Sequence, residues 1–318
     1  DKHILACRAY LTQTIKDVAP KRIICVGTIA MKSLLGRGVG HLSVRKGFGW
    51  LEESKTPIFL MMGGYFSLGN RFLAQWFEED LEWALTADIE SLREISSRDG
   101  CANLIESREE SETAVEILKS QDWISYDTET VGKMFNQDFE IISVAASGSS
   151  MEDSFVWSGD ALSRDIVQPL LDILIDKDQK IIAQNAKYDS NAMYSFFGTV
   201  VNGLHIDTRL VRKILEPESK ASLGVMQELV GMGGGKEIAD NSIKSTVRKI
   251  SKAKSDIELS MIGPLKWVKP LASKECNAGV YAYGLMDHNI RDRYCARDAV
   301  STARLGELFE ARLENKPS

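Results

Sequence analysis

Long apolar runs are absent from this 318-residue sequence, and no stretch approaches the ~20 uninterrupted apolar residues of a membrane helix. The first eight residues lack the charged-then-apolar pattern of a secretory signal. The five cysteines show no paired spacing, which argues against a disulfide framework. We therefore expect a cytoplasmic chain that has no membrane partner.

A strong positive charge is also absent. The formal net charge of −6 argues mildly against a protein that grips long duplex nucleic acid by bulk charge. The exception is a basic segment with five cations: Lys244, Arg248, Lys249, Lys252 and Lys254. Such a segment either contacts phosphates or forms the solvated face of a helix, and we favour the second interpretation.

What is present suits two globular domains. Hydrophobic residues make up 44% and charged residues 26% of the chain, which is typical of a soluble globular protein. The length exceeds that of most single cores. Residues 1–88 show two short apolar strands (22–27 and 57–62) and helical spacing, so we expect a small α/β piece in which the chain begins inside a domain. Charged residues 89–101 are predicted to be a linker.

The pattern changes at residue 102. Strands are predicted at 123–127, 140–146 and 154–157, and helices then alternate with short strands up to residue 215. A less regular stretch follows from 231 to 286, before a long helix over 290–313. This order predicts a mixed sheet flanked by helices, of the α/β class, over residues 102–318.

Two carboxylates, Asp127 and Glu129, lie in the segment YDTETVG at the end of the first of these strands. Residues i and i+2 of a strand point to one face, so both project together from the rim of the sheet. Taken alone, the pair is more typical of an ordinary acidic turn after a strand.

Two further pairs have helical spacing. Asn185 and Asp189 lie four residues apart just after a strand. A purely structural alternative is that Asn185 caps the helix and that Asp189 interacts favourably with the helix dipole. Tyr294 and Asp298 share one face of the last helix, where Asp298 alternatively forms a surface ion pair.

The order of these motifs resembles the DEDDy exonucleases, in particular the proofreading domain of family A DNA polymerases. The family motifs DxE, NxxxD and YxxxD match six residues in order: Asp127, Glu129, Asn185, Asp189, Tyr294 and Asp298. The resemblance spans about residues 103–313 and implies a ribonuclease H-like fold. The His-containing branch would need a histidine where Arg293 stands. An Asp-Thr pair, Asp207 and Thr208, also matches the family, and we interpret Asp207 as a helix cap or a bracing group.

The resemblance implies a metal site. It assigns four carboxylates to two Mg²⁺ (or Mn²⁺) ions: Asp127, Glu129, Asp189 and Asp298. It further implies that Tyr294 orients the attacking water and that Asn185 contacts the substrate or braces the site. Two divalent ions would lower the pKa of a bound water and stabilise the leaving 3′ oxygen. Because converging carboxylates repel one another without metal, we expect raised, coupled pKa values.

Residues 1–88 resemble the second half of an iron–sulfur-type uracil-DNA glycosylase domain, on the segments ACRAYL, APKRIICVGTIAMKSLLG and PIFLMMGGYFSL. Cys7 matches a cysteine that usually binds the cluster, but its partner cysteines would lie before residue 1. The family's histidine motif falls near residues 63–65, which contain no histidine. We therefore expect neither an iron–sulfur cluster nor glycosylase activity, and we interpret Cys7 as a buried small side chain.

Three functions are compatible with these features. The first is a 3′-5′ exonuclease that acts on single-stranded or frayed DNA 3′ ends and proofreads for a DNA polymerase domain or chain. The fusion to a glycosylase-like piece resembles some bacteriophage polymerases, which would place the protein in the host cytoplasm. The second is an RNA-processing 3′-5′ exonuclease of the same superfamily, because the motifs do not report the sugar. The third is a non-catalytic DNA-binding or scaffolding module, which the filled motif positions disfavour.

Overall fold

The structure is a computed structural model that describes residues 2–35, 45–51, 54–68, 70–96, 101–233, 235–273 and 280–314. The chain forms two compact units. The small unit comprises Asp1–Ser97 and Arg212–Gly234, and the large unit comprises Arg98–Val211 and Gly235–Ser318.

The regular elements of the first half of the chain are α1 (Lys2–Val18), β1 (Ile23–Val26), α2 (Thr28–Leu35), β2 (Gly47–Trp50), β3 (Pro57–Met61), α3 (Arg71–Thr86), α4 (Ile89–Ser96), β4 (Ala102–Ile105), α5 (Arg108–Lys119), β5 (Ile124–Val131), β6 (Glu140–Gly148) and β7 (Ser154–Ser158). Those of the second half are α6 (Arg164–Ile175), β8 (Ile181–Ala183), α7 (Ala186–Phe197), β9 (Leu204–Asp207), α8 (Thr208–Leu215), α9 (Leu223–Met226), α10 (Gly235–Ile250), α11 (Asp256–Ser260), α12 (Leu265–Ala272) and α13 (His288–Glu314). Among the described helices, none combines the length and the apolar character of a membrane span.

The small unit contains a three-stranded sheet in the order β1-β3-β2. β3 lies in the middle, parallel to β1 and antiparallel to β2, and all five of its residues are buried. The predicted strands of this piece are therefore present. β2 was not predicted from the sequence, because its GFGW segment contains two glycines and gains its order from pairing with β3.

The boundaries of the units differ from the predicted ones in two places. The first half of the predicted linker is helix α4, and its Leu92 is buried in the small unit's core beside Phe48 and Phe59. Residues 212–234 also belong to the small unit, where the turn at Gln227–Val230 packs against β2. Long-range packing of this kind leaves no signal in the composition. The sequence therefore predicted the first segment to be a linker and the second to be part of the larger domain.

The large unit confirms the expected ribonuclease H-like mixed sheet. Its six strands run in the order β4-β7-β6-β5-β8-β9. β6 is antiparallel to both β5 and β7, whereas β5, β8 and β9 are mutually parallel. Helices α5 and α6 pack with Val144 and Ala146 of β6, and α13 packs with the intervening Ala145. Since neighbouring strand residues point to opposite faces, the sheet is covered on both sides.

α13 lies unusually close to the sheet. The Ser125 hydroxyl donates to the Ala299 carbonyl over 2.7 Å. A Cβ added to Gly306 would come within 2.3 Å of the Ile182 side chain, so this position has no room for one. This close approach brings the carboxylate of α13 to the strands that carry the other motifs.

The stretch predicted to be irregular, residues 231–286, contains helices α10, α11 and α12 in its described part. α10 has a polar, partly β-branched sequence that does not favour a helix by itself. It is stabilised by packing, since Ala239 and Ile250 are buried and the helix contacts α13. The prediction was wrong here because tertiary contacts, not local propensity, set the conformation.

Candidate active site

Asp127 and Glu129 lie inside β5, whose pairing with β6 continues to Val131. The strand is thus longer than predicted, and the two side chains share one face as expected from their spacing. The register of the β5–β6 pairing shifts directly after Glu129, so the regular pattern is interrupted beside the second carboxylate. Glu129 is only 7% exposed.

Asp189 reaches the same edge from the neighbouring strand. β8 is parallel to β5, and α7 starts three residues after β8 ends. The carboxylate of Asp189 accepts hydrogen bonds from the Thr128 hydroxyl (2.6 Å) and the Thr128 backbone N–H (3.2 Å). Thr128, between the two motif carboxylates, therefore ties α7 to β5.

Asp298 and Tyr294 come from α13. Asp298 is buried, so it is not a surface group. The Tyr294 hydroxyl and the Tyr283 hydroxyl are hydrogen-bonded, and their rings lie 6.2 Å apart. Burial and then the negative charge of Asp298 raise the pKa of Tyr294, so its hydroxyl stays protonated.

The carboxylates repel one another. Burial first, and then the charges of Asp189 and Asp298, raise the pKa of Asp127 well above its usual value. Burial and Asp298 do the same to Glu129, and Arg291 is the cation that opposes this shift. Burial raises the pKa of Asp189 to about 7. This is the expected signature of converging carboxylates without a counterion.

A thiol lies within the cluster. Cys295 is fully buried, and its Sγ is 3.6 Å from the Asp127 carbonyl oxygen and 3.9 Å from the Asp127 Oδ2. One ligand atom each of Asp127, Glu129 and Cys295 lies within 4.8 Å of the others. Nothing in the sequence around Cys295 signals this contact, because the two residues are 168 positions apart.

Asn185 occupies a different position from the carboxylates. Its backbone is left-handed (φ 57°, ψ 46°), and its side chain does not cap α7. Its Oδ1 accepts from the Arg209 guanidinium over 2.8 Å. The α7 amino end is instead capped by Asp207, which accepts from the backbone N–H groups of Asn185 and Ala186. The interpretation of Asp207 as a helix cap is therefore confirmed, and the alternative of Asn185 as the cap was wrong.

A 3′-5′ exonuclease family model matches residues 103–314, about two-thirds of the chain. The chain belongs to the 3′-5′ exonuclease family. A search of curated proteins found no match.

Several solved structures resemble the exonuclease at low identity. They include Brucella melitensis NrnC with bound Mg²⁺ (17% identity, 67% of this chain and 80% of that chain, TM-score 0.41). They also include a complex of Trypanosoma brucei RNase D with GMP (16% identity, 71% of this chain, TM-score 0.46), of which the exonuclease spans 60%. A third is the Aedes aegypti Nibbler EXO domain (11% identity, 59% of this chain and 88% of that chain, TM-score 0.36).

The donor set of the exonuclease fits hard divalent ions. Mg²⁺ and Mn²⁺ prefer carboxylate oxygens, and four buried or half-buried carboxylates act on one another at this edge of the sheet. The protonated thiol of Cys295 is a poor ligand for such ions, because burial raises its pKa well above the usual value. The four carboxylates are therefore the groups that could hold a metal.

Exposed aromatic side chains follow the second acidic motif along α7. The Tyr188 hydroxyl, next to Asp189 in the chain, is 2.7 Å from the Thr130 hydroxyl, and its ring is half exposed. An open groove is lined by Phe135, Asn136, Gln137, Tyr194, Ser195 and Gly198. Exposed rings and amide groups are the chemistry that unpaired bases use for stacking and hydrogen bonding.

The N-terminal cysteine differs from its interpretation. Cys7 is exposed, so it is not the small buried side chain expected from the sequence, whereas Cys25 of β1 is buried. Burial raises the pKa of Cys25 to about 12, which leaves it an inert core thiol. The surface position of Cys7 follows from α1, whose described side chains are mostly exposed.

Proposed function

We propose that this exonuclease removes nucleotides from single-stranded DNA 3′ ends with two divalent ions, held by Asp127, Glu129, Asp189 and Asp298. The convergence of four carboxylates opposed by little positive charge is the observation that supports this proposal. Such an arrangement destabilises the metal-free protein, so it is hard to account for without a cationic ligand.

The residues of the chain have distinct tasks in this proposal. Bound ions supply a water of lowered pKa and charge stabilisation for the leaving 3′ oxygen. Thr128 holds the Asp189 carboxylate by two hydrogen bonds, which leaves its other oxygen for metal. The Tyr294 hydroxyl is neutral and is held by Tyr283, so it can donate to or accept from the attacking water and orient it.

Single strands are the proposed form of the substrate. The open groove lined by residues of α7 and of the segment after β5 presents Phe135 and Tyr194 to solvent. Bases would have to unpair to reach these rings. Asn185, braced by Arg209, is proposed to contact the substrate backbone next to the cluster.

DNA is proposed as the substrate because the three motifs resemble those of family A proofreading domains. On the same ground, we propose that the exonuclease proofreads for a phage-type polymerase. RNA is the second candidate. A solved structure of T. brucei RNase D in complex with RNA U12 is similar to 58% of this chain at 17% identity and a TM-score of 0.40. That likeness is too distant to decide the sugar. Residues 1–97 with 212–234 are proposed to serve as a docking or DNA-guiding platform without glycosylase activity.

One assay tests these proposals together. The protein is incubated with end-labelled 12-mers of DNA and RNA of equal sequence, and with a blunt duplex, in Mg²⁺ and in EDTA. We expect stepwise shortening from the 3′ end of the DNA single strand, only in Mg²⁺, and slower attack on the duplex. Faster shortening of RNA would replace DNA by the second candidate. Full-length 12-mers of both kinds in Mg²⁺ would refute the exonuclease proposal.

A further inference from the structure

Helix α10 and the turn that follows it carry the basic segment singled out in the sequence. From Asn241 to Ser255 the chain holds five cations and no carboxylate, although the whole chain has a net charge of −6. All five cations are exposed: Lys244, Arg248, Lys249, Lys252 and Lys254. Within the part of the chain that the structure describes, none of them forms an ion pair with a carboxylate. The segment is therefore an uncompensated positive surface in an acidic protein.

Nearby acidic groups do not neutralise this surface. Asp256 is paired with Lys269 over 2.6 Å, and Glu258 accepts from the Lys254 backbone N–H over 2.6 Å. An ordinary solvated helix face has carboxylates interspersed among its cations. The segment from Asn241 to Ser255 has none, which points to an anionic partner.

The face has a direction relative to the catalytic cluster. The negative charge of Asp240 acts on Tyr283, whose hydroxyl is bonded to Tyr294. Lys244 and Arg248 follow Asp240 at successive intervals of four residues, which places them on one side of α10. Lys252 lies in the turn directly after the helix, where the Ser251 N–H donates to the Val247 carbonyl. The cations thus follow one another from a point one turn after Asp240, and α10 contacts the turn Ala282–Leu285 that carries Tyr283.

We propose that this line, called the α10 track, binds backbone phosphates of the single strand a few nucleotides before its 3′ end. This proposal rests on the proposed function, since it assigns the path by which the strand reaches the cluster. The track is about 12 Å long at 1.5 Å per residue. That length spans about three to four phosphates at the 3.4 Å spacing of a stacked strand.

The test compares two triple variants of equal charge change. The track variant is Lys244→Gln, Arg248→Gln and Lys252→Gln. The control variant is Lys119→Gln, Lys177→Gln and Lys180→Gln, three exposed lysines near the amino ends of β5 and β8. Binding of a fluorescent 12-mer oligo(dT) is measured in EDTA as a function of salt, and cleavage of 12-mer and trinucleotide is measured in Mg²⁺.

We expect the track variant to bind the 12-mer about tenfold more weakly at low salt, with a log Kd against log salt slope that is shallower by about 2, because three phosphate contacts are lost at about 0.7 each. Its KM should rise for the 12-mer and not for the trinucleotide, with kcat unchanged. Equal binding by both variants would overturn the track and leave the exonuclease proposal standing. If the track variant binds the 12-mer more weakly but the wild type does not cleave it, the exonuclease proposal would be overturned and phosphate binding by the track would stand. Loss of binding to phosphatidylserine vesicles, with unchanged oligonucleotide binding, would also overturn the track.

Discussion

Each unit of the protein buries a cluster of ionisable side chains, and the two clusters are built in opposite ways. In the small unit, the Arg45 guanidinium contacts Glu79 (2.5 Å) and Asp80 (3.1 Å) and lies over the Trp76 ring. In the large unit, the negative charges of Asp189 and Asp298 act on the buried Glu129, and Arg291 is the cation that acts on it. One cluster brings its own counterion, whereas the other lacks enough positive charge.

The difference separates structural from functional burial of charge. A carboxylate beside a cation is compensated within the fold. The hydrogen bond from Arg45 lowers the pKa of Glu79, whereas burial raises the pKa of Asp80 and Arg45 opposes that shift. Like charges in one buried site cost stability, and a fold retains them when a ligand supplies the missing charge. Four predictions test this distinction, from the largest expected effect to the smallest.

Removing two carboxylates should abolish catalysis and spare the fold. For Asp127→Ala with Glu129→Ala we expect nuclease activity to fall at least about a thousandfold, or ~4 kcal/mol of transition-state stabilisation. The thermal midpoint in EDTA should not decrease, because repulsion is relieved. The control pair is Asp176→Ala with Asp178→Ala, two exposed carboxylates at the same spacing. A folded double variant that digests the 12-mer at the wild-type rate would remove the functional meaning of the cluster.

Removing one carboxylate from the balanced cluster should have the opposite result. Asp80→Ala leaves the Arg45 guanidinium buried with Glu79 alone, which should cost about 3 kcal/mol of unfolding free energy. Nuclease activity of the folded protein should be unchanged. Asp165→Ala is the control, since its pair with Arg108 is exposed and should contribute under ~1 kcal/mol. Urea unfolding measures both, and equal effects would show that the burial of Asp80 has no structural role.

The tyrosine tests whether the unbalanced cluster needs a neutral hydroxyl. Tyr294→Phe removes the hydroxyl and keeps the ring beside Tyr283, so metal binding should be retained. We expect kcat to fall about 10- to 100-fold through loss of water orientation, with little change in KM. Tyr283→Phe should have a smaller effect, because Tyr283 acts through Tyr294. Unchanged kcat in Tyr294→Phe would leave the hydroxyl without a catalytic task.

The carboxylate cluster of the large unit should also respond to pH. The pKa of Asp189 is raised to about 7, so its protonated form stabilises the metal-free fold fully below pH ~4, and this contribution is lost as pH rises through 7. In the small unit the lowered pKa of Glu79 and the raised pKa of Asp80 act in opposite directions. In EDTA we expect the thermal midpoint of the large unit to drop by a few degrees between pH 5 and pH 8. Mg²⁺ at pH 8 should restore it. A midpoint independent of pH and of Mg²⁺ would contradict both the repulsion and the metal site.

Much of the large unit could be predicted from the sequence, because its signals are local. Helices α6, α7 and α8 lie where helices are predicted to alternate with short strands, and the αL Gly198 ends α7 as a glycine stop should. The three acidic motifs also stand in the expected elements, and the charges of their carboxylates act on one another.

The rest depends on contacts between distant parts of the chain. Cys295 touches Asp127 across 168 positions, and Tyr283 was hidden in a stretch without periodicity. α10 and β2 acquire their conformation from the elements they pack against, so neither composition nor residue spacing predicts them. The chemistry of a site is visible in its ligand motifs, but the groups that hold those motifs are visible only in three dimensions.

The double cap by Asp207 has a consequence for motion. Its carboxylate accepts from the backbone N–H groups of Asn185 and Ala186 at the start of α7. It also accepts from the backbone N–H groups of Arg209 and Leu210 in the first turn of α8. One side chain thus restrains the starts of two helices, and α7 carries Asp189. In hydrogen–deuterium exchange these four amides should open as one event, with a shared lifetime. The rate at which these hydrogen bonds to Asp207 open then sets how often Asp189 moves away from the other carboxylates.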